Sequence, residues 1–256
     1  MANTLFTGKV YHHFDELPST NDHALELIAE AYKDTTKSKP PEGTVVRADT
    51  QTAGRGQYGS RWLSKGSQNL TLSVIFYPVW LETIAQFYLS MAVALALRDT
   101  LLPYLPVTVK WPNDIYVHGR KTAGVLIQNA IGGSGLQSSV VGIGLNVNQT
   151  VFPSEISQKA TSIALETGRN FNLNHLQDAL FENLERRYLQ LRAGQREALY
   201  KEYTATLYRI NEVASYALPD GQVFTATQRG VDESGRLLLE TSFGLEKFEV
   251  KGVVFV

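Results

Sequence analysis

The sequence predicts an α+β protein with a central mixed β-sheet, flanking helices and a small β-barrel at its C-terminal end. Five adjacent segments between residues 69 and 146 have the apolar or alternating pattern of strands. Amphipathic segments of helical period lie at 81–102 and 174–191. From residue 212 onward the helical pattern stops, and short strand-like segments alternate with glycine-containing turns. We therefore predict a larger domain over 1–208 and a small barrel domain over 209–256.

The first elements predicted are a strand, a helix and a second strand. Residues 7–14 have a strand pattern, and Ser19 or Thr20 is suited to cap the N-terminus of the helix that follows. A strand over 44–48 then leads into a glycine-rich segment. Strict alternation over 69–77 predicts a strand with one buried and one exposed face.

The middle of the chain predicts a core helix between residues 81 and 102. Apolar side chains including Ile84 recur there with helical spacing, and Pro103 follows them. His118 and Gly119 predict a tight turn between two strands, so that Lys121 lies just beyond a hairpin. The other predicted elements are strands over 107–111, 115–117, 123–127 and 138–146, helices over 174–191 and 195–207, and short strands near 213–218, 222–228, 236–241, 245–250 and 252–255.

Composition and charge exclude several classes of function. The net charge of −1 provides no general field for binding nucleic acid, so an anion must be bound by a local site. The absence of cysteine excludes a disulfide, a thiolate nucleophile and a cysteine zinc site, and the five histidines show no ligand spacing. With no signal-like start and no apolar run long enough to span a bilayer, we expect a cytoplasmic protein without membrane contact.

One loop has the residues of an anion-binding segment. The stretch GRGQYGSRW, residues 54–62, contains three glycines, which disfavour regular structure and let the backbone approach a ligand closely. Arg55 and Arg61 add positive charge, and Trp62 adds a stacking surface. Considered alone, a segment of this kind is more often a surface loop whose arginines are simply solvated.

A second group of polar residues surrounds the predicted hairpin. It consists of KWPND at 110–114, GRKTAG at 119–124 and GIGLNVN at 142–148. Individually, Lys121 is explained as a hairpin lysine and Asp114 as a turn-forming residue, just as Ser19 or Thr20 is explained as a helix cap. Together these segments bring cationic, amide and acidic groups to strand ends of one sheet, which predicts a site for a polar, anionic ligand.

These motifs, with ATSI at 160–163 and the segment 229–240, resemble those of biotin protein ligases in the same order along the chain. The resemblance implies the biotin-lipoate ligase catalytic fold, which is similar to that of class II aminoacyl-tRNA synthetases, followed by an SH3-like β-barrel. It implies that the larger domain binds biotin and ATP, with Mg²⁺, and forms biotinyl-5'-AMP. The biotin is then transferred to a lysine in the biotin acceptor domain of a carboxylase carrier protein.

The resemblance also implies a role for individual residues. Lys121, Arg55 and Asp114 are the expected catalytic residues, and Asp114 is the expected metal ligand. About eighteen residues precede Ser19, so the family's optional N-terminal DNA-binding domain, and with it a DNA partner, is not expected, whereas a homodimer is possible. The residues expected to bind biotin are Ser19, Thr20, Asn21, Gln51, Gly54, Arg55, Gly56, Gln57, Lys121 and Gly124. Those expected to bind ATP or the adenylate are Arg55, Trp62, Lys110, Asn113, Asp114, Lys121 and Asn146.

The loop departs from the family pattern at two positions. Gln57 and Ser60 stand where that pattern has arginines, so we predict weaker retention of the adenylate. Two other functions fit part of the sequence. A lipoate protein ligase would share the fold and the chemistry, and a non-catalytic module would bind RNA or protein through the C-terminal barrel. The KWPND and glycine-loop motifs favour biotin over lipoate, and the presence of both Arg55 and Lys121 favours catalysis.

Overall fold

A computed structural model describes residues 2–34, 36–64, 66–133 and 135–256. The described helices are α1 Thr20–Lys33, α2 Phe87–Leu101, α3 Ile163–Thr167, α4 Leu173–Arg192 and α5 Arg196–Ala205. The strands of the larger region are β1 Tyr11–Leu17, β2 Val45–Gln51, β3 Leu70–Phe76, β4 Thr108–Lys110, β5 Asp114–Val117, β6 Arg120–Gly132 and β7 Gly135–Leu145. Those of the C-terminal region are β8 Val213–Ala217, β9 Val223–Val231, β10 Leu237–Thr241, β11 Gly244–Phe248 and β12 Val254–Phe255.

The first seven strands form one mixed sheet in the order β1-β2-β3-β7-β6-β5-β4. The pair β1 and β2 is parallel, and the other neighbouring pairs are antiparallel. Helix α2, backed by α4, packs against one face, and α1 packs against the other face over β2, β3 and β7. The predicted mixed sheet with flanking helices is therefore confirmed.

Two details of the predicted core are wrong. Strand β3 was predicted to have one exposed face, but all seven of its residues are buried because α1 covers the second face. Ile84 was predicted to face inward, but it is 78% exposed. It lies in a separate 3₁₀ turn, Thr83–Ala85, before α2 begins at Phe87, so it does not share the buried face of that helix.

The C-terminal strands form a separate antiparallel sheet in the order β11-β10-β9-β8-β12. Among the described residues β11 and β12 are the two edges and do not pair with each other, so closure into the predicted SH3-like barrel is not confirmed. This C-terminal region contacts the larger region through side chains. The Trp111 indole N–H donates to the carbonyl of Gly235 at 2.8 Å, and the Tyr200 hydroxyl donates to the carbonyl of Val231 at 2.7 Å. The boundary after residue 208 stays a prediction.

Helix α2 is apolar and mostly buried. In the part of the chain that the structure describes, no helix is both long and apolar enough to cross a membrane. The longest, α4, has twenty residues and carries several charged side chains.

Candidate active site

Glycines form the floor of a cavity on the α1 face of the large sheet. Gly124 of β6 lies opposite Gly144 of β7, and Gly142 lies two residues from Gly144, opposite Leu126. A β-carbon on Gly144 would lie 2.2 Å from Cε2 of Trp62, and one on Gly142 would lie 2.1 Å from Oδ1 of Asn21. Glycine in a strand interior allows this kind of close approach. The floor is therefore shaped to receive the Trp62 indole and the Asn21 amide.

The polar end of the cavity is built where α1 begins. Ser19 caps the helix by accepting from the backbone N–H of Asp22, which confirms the predicted cap. Oε1 of Gln51 accepts from the backbone N–H of Thr20 at 2.7 Å and from its hydroxyl at 3.1 Å. The Asn21 amide donates to Oε1 of Gln128 at 2.8 Å. Buried amide and hydroxyl groups thus meet at one end of the cavity.

Ser73, a buried strand residue, completes this polar end. Its hydroxyl lies 2.6 Å from Oδ1 of Asn21 and 2.8 Å from the Thr20 hydroxyl. A network of this kind fixes the orientation of each member, because rotation of any one group would leave a buried partner unsatisfied. The result is a rigid set of donors and acceptors ready for a ligand with the complementary pattern.

The glycine-rich loop lies over the cavity and is closed by its own main chain. The backbone N–H of Gly56 donates to the carbonyl of Ser60, and that of Trp62 donates to the carbonyl of Gly54. The Arg55 guanidinium, about half exposed, forms an ion pair with Asp22 in the first turn of α1. The loop is therefore attached to the helix that carries the polar end of the cavity.

Lys121 reaches the cavity because of a β-bulge. Ile115 pairs with Ala123 and Tyr116 pairs with Lys121, so Thr122 is an extra residue that shifts the register. A bulge re-aims the side chains next to it. The ammonium of Lys121 lies 2.6 Å from Oδ1 of Asp114 and 5.8 Å from the centroid of the Trp62 ring.

The β4–β5 turn supplies Asn113 and Asp114 to the same side of the cavity. Asn113 exchanges main-chain and side-chain hydrogen bonds with Val125 of β6, since its amide donates to the carbonyl of Val125 and its carbonyl accepts from the Val125 N–H. These bonds hold the turn against the cavity floor. Asp114 is thereby kept within reach of Lys121.

Three predicted residues lie outside the described lining of this cavity. Gly54 lines neighbouring clefts beside the loop. Lys110 donates to the Tyr116 hydroxyl at 3.1 Å and lies over the Phe255 ring, toward the C-terminal sheet. Burial lowers the pKa of the Lys110 ammonium, and the nearby Asp114 carboxylate only partly opposes this shift. Asn146 is 3% exposed, and its amide donates to the carbonyl of Thr161.

Asn146 nevertheless belongs to a group of buried polar atoms that lack partners within the described residues. Its Oδ1, the hydroxyl of Thr122 and the indole N–H of Trp62 have no hydrogen bond. The Asn146 N–H donates to the carbonyl of Thr122, so the two residues are neighbours across β6 and β7. Buried polar groups are usually paired, and exceptions require a cause such as a ligand or water.

The structure brings most of the predicted site residues together. The sequence-based prediction missed several residues of the site. Two features of the sequence could have indicated them: the glycines within β7 and the polar Ser73 within the apolar strand β3. The predicted residues that line the cavity are Ser19, Thr20, Asn21, Gln51, Arg55, Gly56, Gln57, Trp62, Asn113, Asp114, Lys121 and Gly124. Those outside the predicted set that line the cavity or bond to its lining include Asp22, Ser60, Arg61, Thr71, Ser73, Gln128, Gly142 and Gly144.

No group of three or more potential metal ligands occurs within the described part of the chain. Asp114 is the acidic side chain among the described residues that line the cavity. A Mg²⁺ ion is commonly held by one or two carboxylates together with substrate phosphates. The residues present are therefore compatible with a metal that arrives with its nucleotide, and the role of Asp114 as a ligand stays a prediction.

The fold and the cavity define a protein of the biotin and lipoate ligase class. The model of the biotin/lipoate A/B protein ligase family matches residues 14–146, just over half of the chain. The chain belongs to this family.

Individual proteins similar to this chain include several biotin ligases. The chain is 32% identical to the bifunctional ligase/repressor BirA of Bacillus subtilis over 250 residues, covering 93% of this chain and 71% of that protein. It is 32% identical to the biotin acetyl-CoA-carboxylase ligase of Mycobacterium tuberculosis over 239 residues, covering 91% and 85%. The biotin protein ligase of Aquifex aeolicus in complex with biotin and ATP has the same fold, with a TM-score of 0.79, 23% identity and coverage of 97% and 99%. The resemblance to biotin protein ligases is confirmed.

Proposed function

We propose that this protein is a biotin protein ligase that works in two steps. In the first, a carboxylate oxygen of biotin attacks the α-phosphorus of ATP, the bond to the β-phosphate oxygen breaks, and pyrophosphate leaves. In the second, the ε-amine of a lysine on a carboxylase carrier protein attacks the acyl carbon of biotinyl-5'-AMP. AMP leaves, and the new amide nitrogen loses one proton.

The observation that carries this proposal is the position of Lys121. Its ammonium enters a cavity with a hydrogen-bonding network at one end and the arginine-bearing loop above it. Two anions must approach each other in the first step, and like charges about 4 Å apart repel by about 4 kcal/mol at an effective dielectric constant of 20. A cation between carboxylate and α-phosphate offsets that repulsion.

Arg55 is the second cation of this step. Its ion pair with Asp22 is about half exposed, so an incoming carboxylate or phosphate competes for the guanidinium in a partly hydrated setting. The backbone N–H groups of the glycine loop add further donors for the oxyanions. Closure of the loop then keeps water from the mixed anhydride.

The chemistry of the polar end favours biotin over lipoate. Thr20, Asn21 and Gln51 present fixed donors and acceptors there, with Ser73 behind them. The ureido ring of biotin has a carbonyl acceptor and N–H donors, whereas the dithiolane ring of lipoate has no N–H or O–H donor. A buried site built to hydrogen-bond its substrate rejects an analogue without those groups by orders of magnitude.

ATP is placed at the other end of the cavity, beside Asn113, Asp114 and Trp62. These residues line the cavity around the Lys121 ammonium, where the phosphates must lie. Mg²⁺, when bound with the nucleotide, would be held by Asp114 and would neutralise phosphate charge. Lys110 bonds to Tyr116 and is not among the described lining residues of the cavity, so we assign it no contact with the nucleotide.

In the second step Asp114 orients the incoming lysine and accepts its proton. The carboxylate lies 2.6 Å from the Lys121 ammonium and remains partly accessible, which is compatible with a position beside the acyl carbon of the adenylate. A base must come within hydrogen-bonding distance of the proton that it removes. Exchange of Asp114 for asparagine should therefore slow transfer from preformed adenylate.

The test is acylation of a biotin acceptor domain with ATP and either biotin or lipoate, followed by mass spectrometry of its lysines. We expect biotin to be attached to one lysine and lipoate to give no product. Attachment of lipoate at a comparable rate would show that the protein is a lipoate ligase instead. Absence of acylation and of adenylate with both acids, in a folded protein with magnesium, would favour a non-catalytic binding module.

A further inference from the structure

Glu166, on the short helix α3, lies at the centre of a cluster of polar side chains outside the cavity. Its side chain is only 5% exposed. The carboxylate accepts from the Thr161 hydroxyl at 2.5 Å and from the Arg120 guanidinium at 2.6 Å, and it lies 2.7 Å from Nδ1 of His118. Both oxygens are thus used by partners from two different segments of the chain.

These partners lie next to Lys121 along the chain or across the sheet. His118 and Arg120 belong to the turn and strand start that immediately precede Lys121. Thr161 belongs to a segment that pairs with Lys121 in parallel. The Lys121 N–H donates to the carbonyl of Lys159 at 2.8 Å, and its carbonyl accepts from the Thr161 N–H at 2.9 Å.

Glu166 therefore ties together the two segments between which the Lys121 backbone is held. Burial raises the pKa of its carboxyl, but hydrogen bonds from Thr161 and His118 and the charge of Arg120 outweigh this and lower it overall. The group is consequently ionised at neutral pH, and its charge-assisted hydrogen bonds are stronger than neutral ones. None of its bonding atoms lines the cavity.

We infer that Glu166 is a positioning residue for Lys121: it fixes the backbone from which the ammonium reaches between the two substrates. This inference rests on the proposed function. Because Lys121 follows a bulge, its direction depends on local backbone geometry rather than on a regular strand. A displacement of about 1 Å in a catalytic group costs on the order of a hundredfold in rate.

The experiment measures biotin-dependent exchange of labelled pyrophosphate into ATP for Glu166→Ala and Glu166→Gln, well below their melting temperatures. We expect kcat to fall by roughly tenfold to a hundredfold in Glu166→Ala, with the Kd of biotin within about twofold of wild type. Glu166→Gln keeps part of the bonding and should recover part of the rate. Glu155→Ala, an exposed residue of the same region, is the control and should match wild type.

A double-mutant cycle separates positioning from a merely structural role. If Glu166 acts through Lys121, Glu166→Ala should change the residual exchange of a Lys121→Met protein by less than about twofold. Equal fold losses in both backgrounds, or an unchanged kcat in folded Glu166→Ala, would overturn the inference. Arg120→Met removes a single partner and should give a smaller loss of the same kind. Absence of exchange in wild type would instead count against the proposed function.

Discussion

At the residue scale, the loop positions that depart from the family pattern govern how long the adenylate is retained. Gln57 lines the cavity and carries no charge. We predict that Gln57→Arg lengthens the lifetime of bound biotinyl-5'-AMP, because a guanidinium beside the phosphate adds an attraction that the amide lacks. Chase experiments with labelled adenylate measure that lifetime, and Gln57→Met is the uncharged control. Equal lifetimes in Gln57→Arg and wild type would refute the prediction.

The absence of a side chain at Gly142 leaves room for the Asn21 amide. A methyl group at this position would lie 2.1 Å from Oδ1 of Asn21 and force that side chain out of its network. Loss of a neutral hydrogen bond is worth about 1 kcal/mol, so Gly142→Ala should weaken biotin binding by about fivefold. Calorimetric titration with biotin gives the affinity, and Asn21→Ala should show a loss of similar size. An unchanged affinity in Gly142→Ala would mean that Asn21 does not hold the ligand.

The direction of a single side chain was the hardest feature to predict from sequence. Lys121 was expected near a hairpin, but its entry into the cavity depends on the bulge at Thr122, which arises from pairing between β5 and β6. Ser73 had the pattern of an outward polar residue in an alternating strand. It became a site residue because α1, which is distant in sequence, covers that face.

At the element scale, strands and helices with clear periodicity were predictable to within a few residues. The helix cap at Ser19 and the turn at His118 and Gly119 were correct, and both turn residues have the positive φ that a tight hairpin requires. The five-residue helix α3 was missed, because one turn and a half has too little periodicity to detect. Barrel closure depends on long-range pairing of β11 with β12, which local pattern does not determine.

The glycine loop is the element that ligand should change most. We predict that biotin slows tryptic cleavage after Arg55 and Arg61, and that biotin with ATP slows it further, because a bound anion engages the loop and reduces its opening. Timed digestion followed by mass spectrometry gives the rate at each site. Exposed Lys37 and Arg169, elsewhere in the structure, serve as internal controls. Equal protection at all four sites would indicate global stabilisation rather than loop closure.

At the scale of the whole molecule, the C-terminal sheet is joined to the turn that carries Asn113 and Asp114. The carbonyl of Gly235 accepts from Trp111, which directly precedes the cis-proline of that turn. Gly235 has φ of +90°, and a β-carbon there would lie 2.3 Å from the Phe87 ring. The junction between the C-terminal sheet and the larger region therefore requires glycine at position 235.

We predict that Gly235→Ala destabilises the protein more than Gly221→Ala. Gly221 has φ of +89° and open space around it, so both variants share the backbone strain and only Gly235→Ala adds the clash. Overpacking costs about 1 to 3 kcal/mol, which corresponds to a further fall in Tm of several degrees for a protein of this size. Thermal unfolding of both variants measures the difference. Equal falls in Tm would show that the contact with Phe87 contributes little.

Pyrophosphate exchange shows whether Lys121 is the cation between the two substrates. Wild type should exchange labelled pyrophosphate into ATP only when biotin is present. Lys121→Met should lose on the order of 10² to 10³ in rate while remaining folded, and Lys9→Met, at an exposed distant site, should match wild type. Biotin-dependent exchange at the wild-type rate in Lys121→Met would show that the Lys121 ammonium does not act between the substrates.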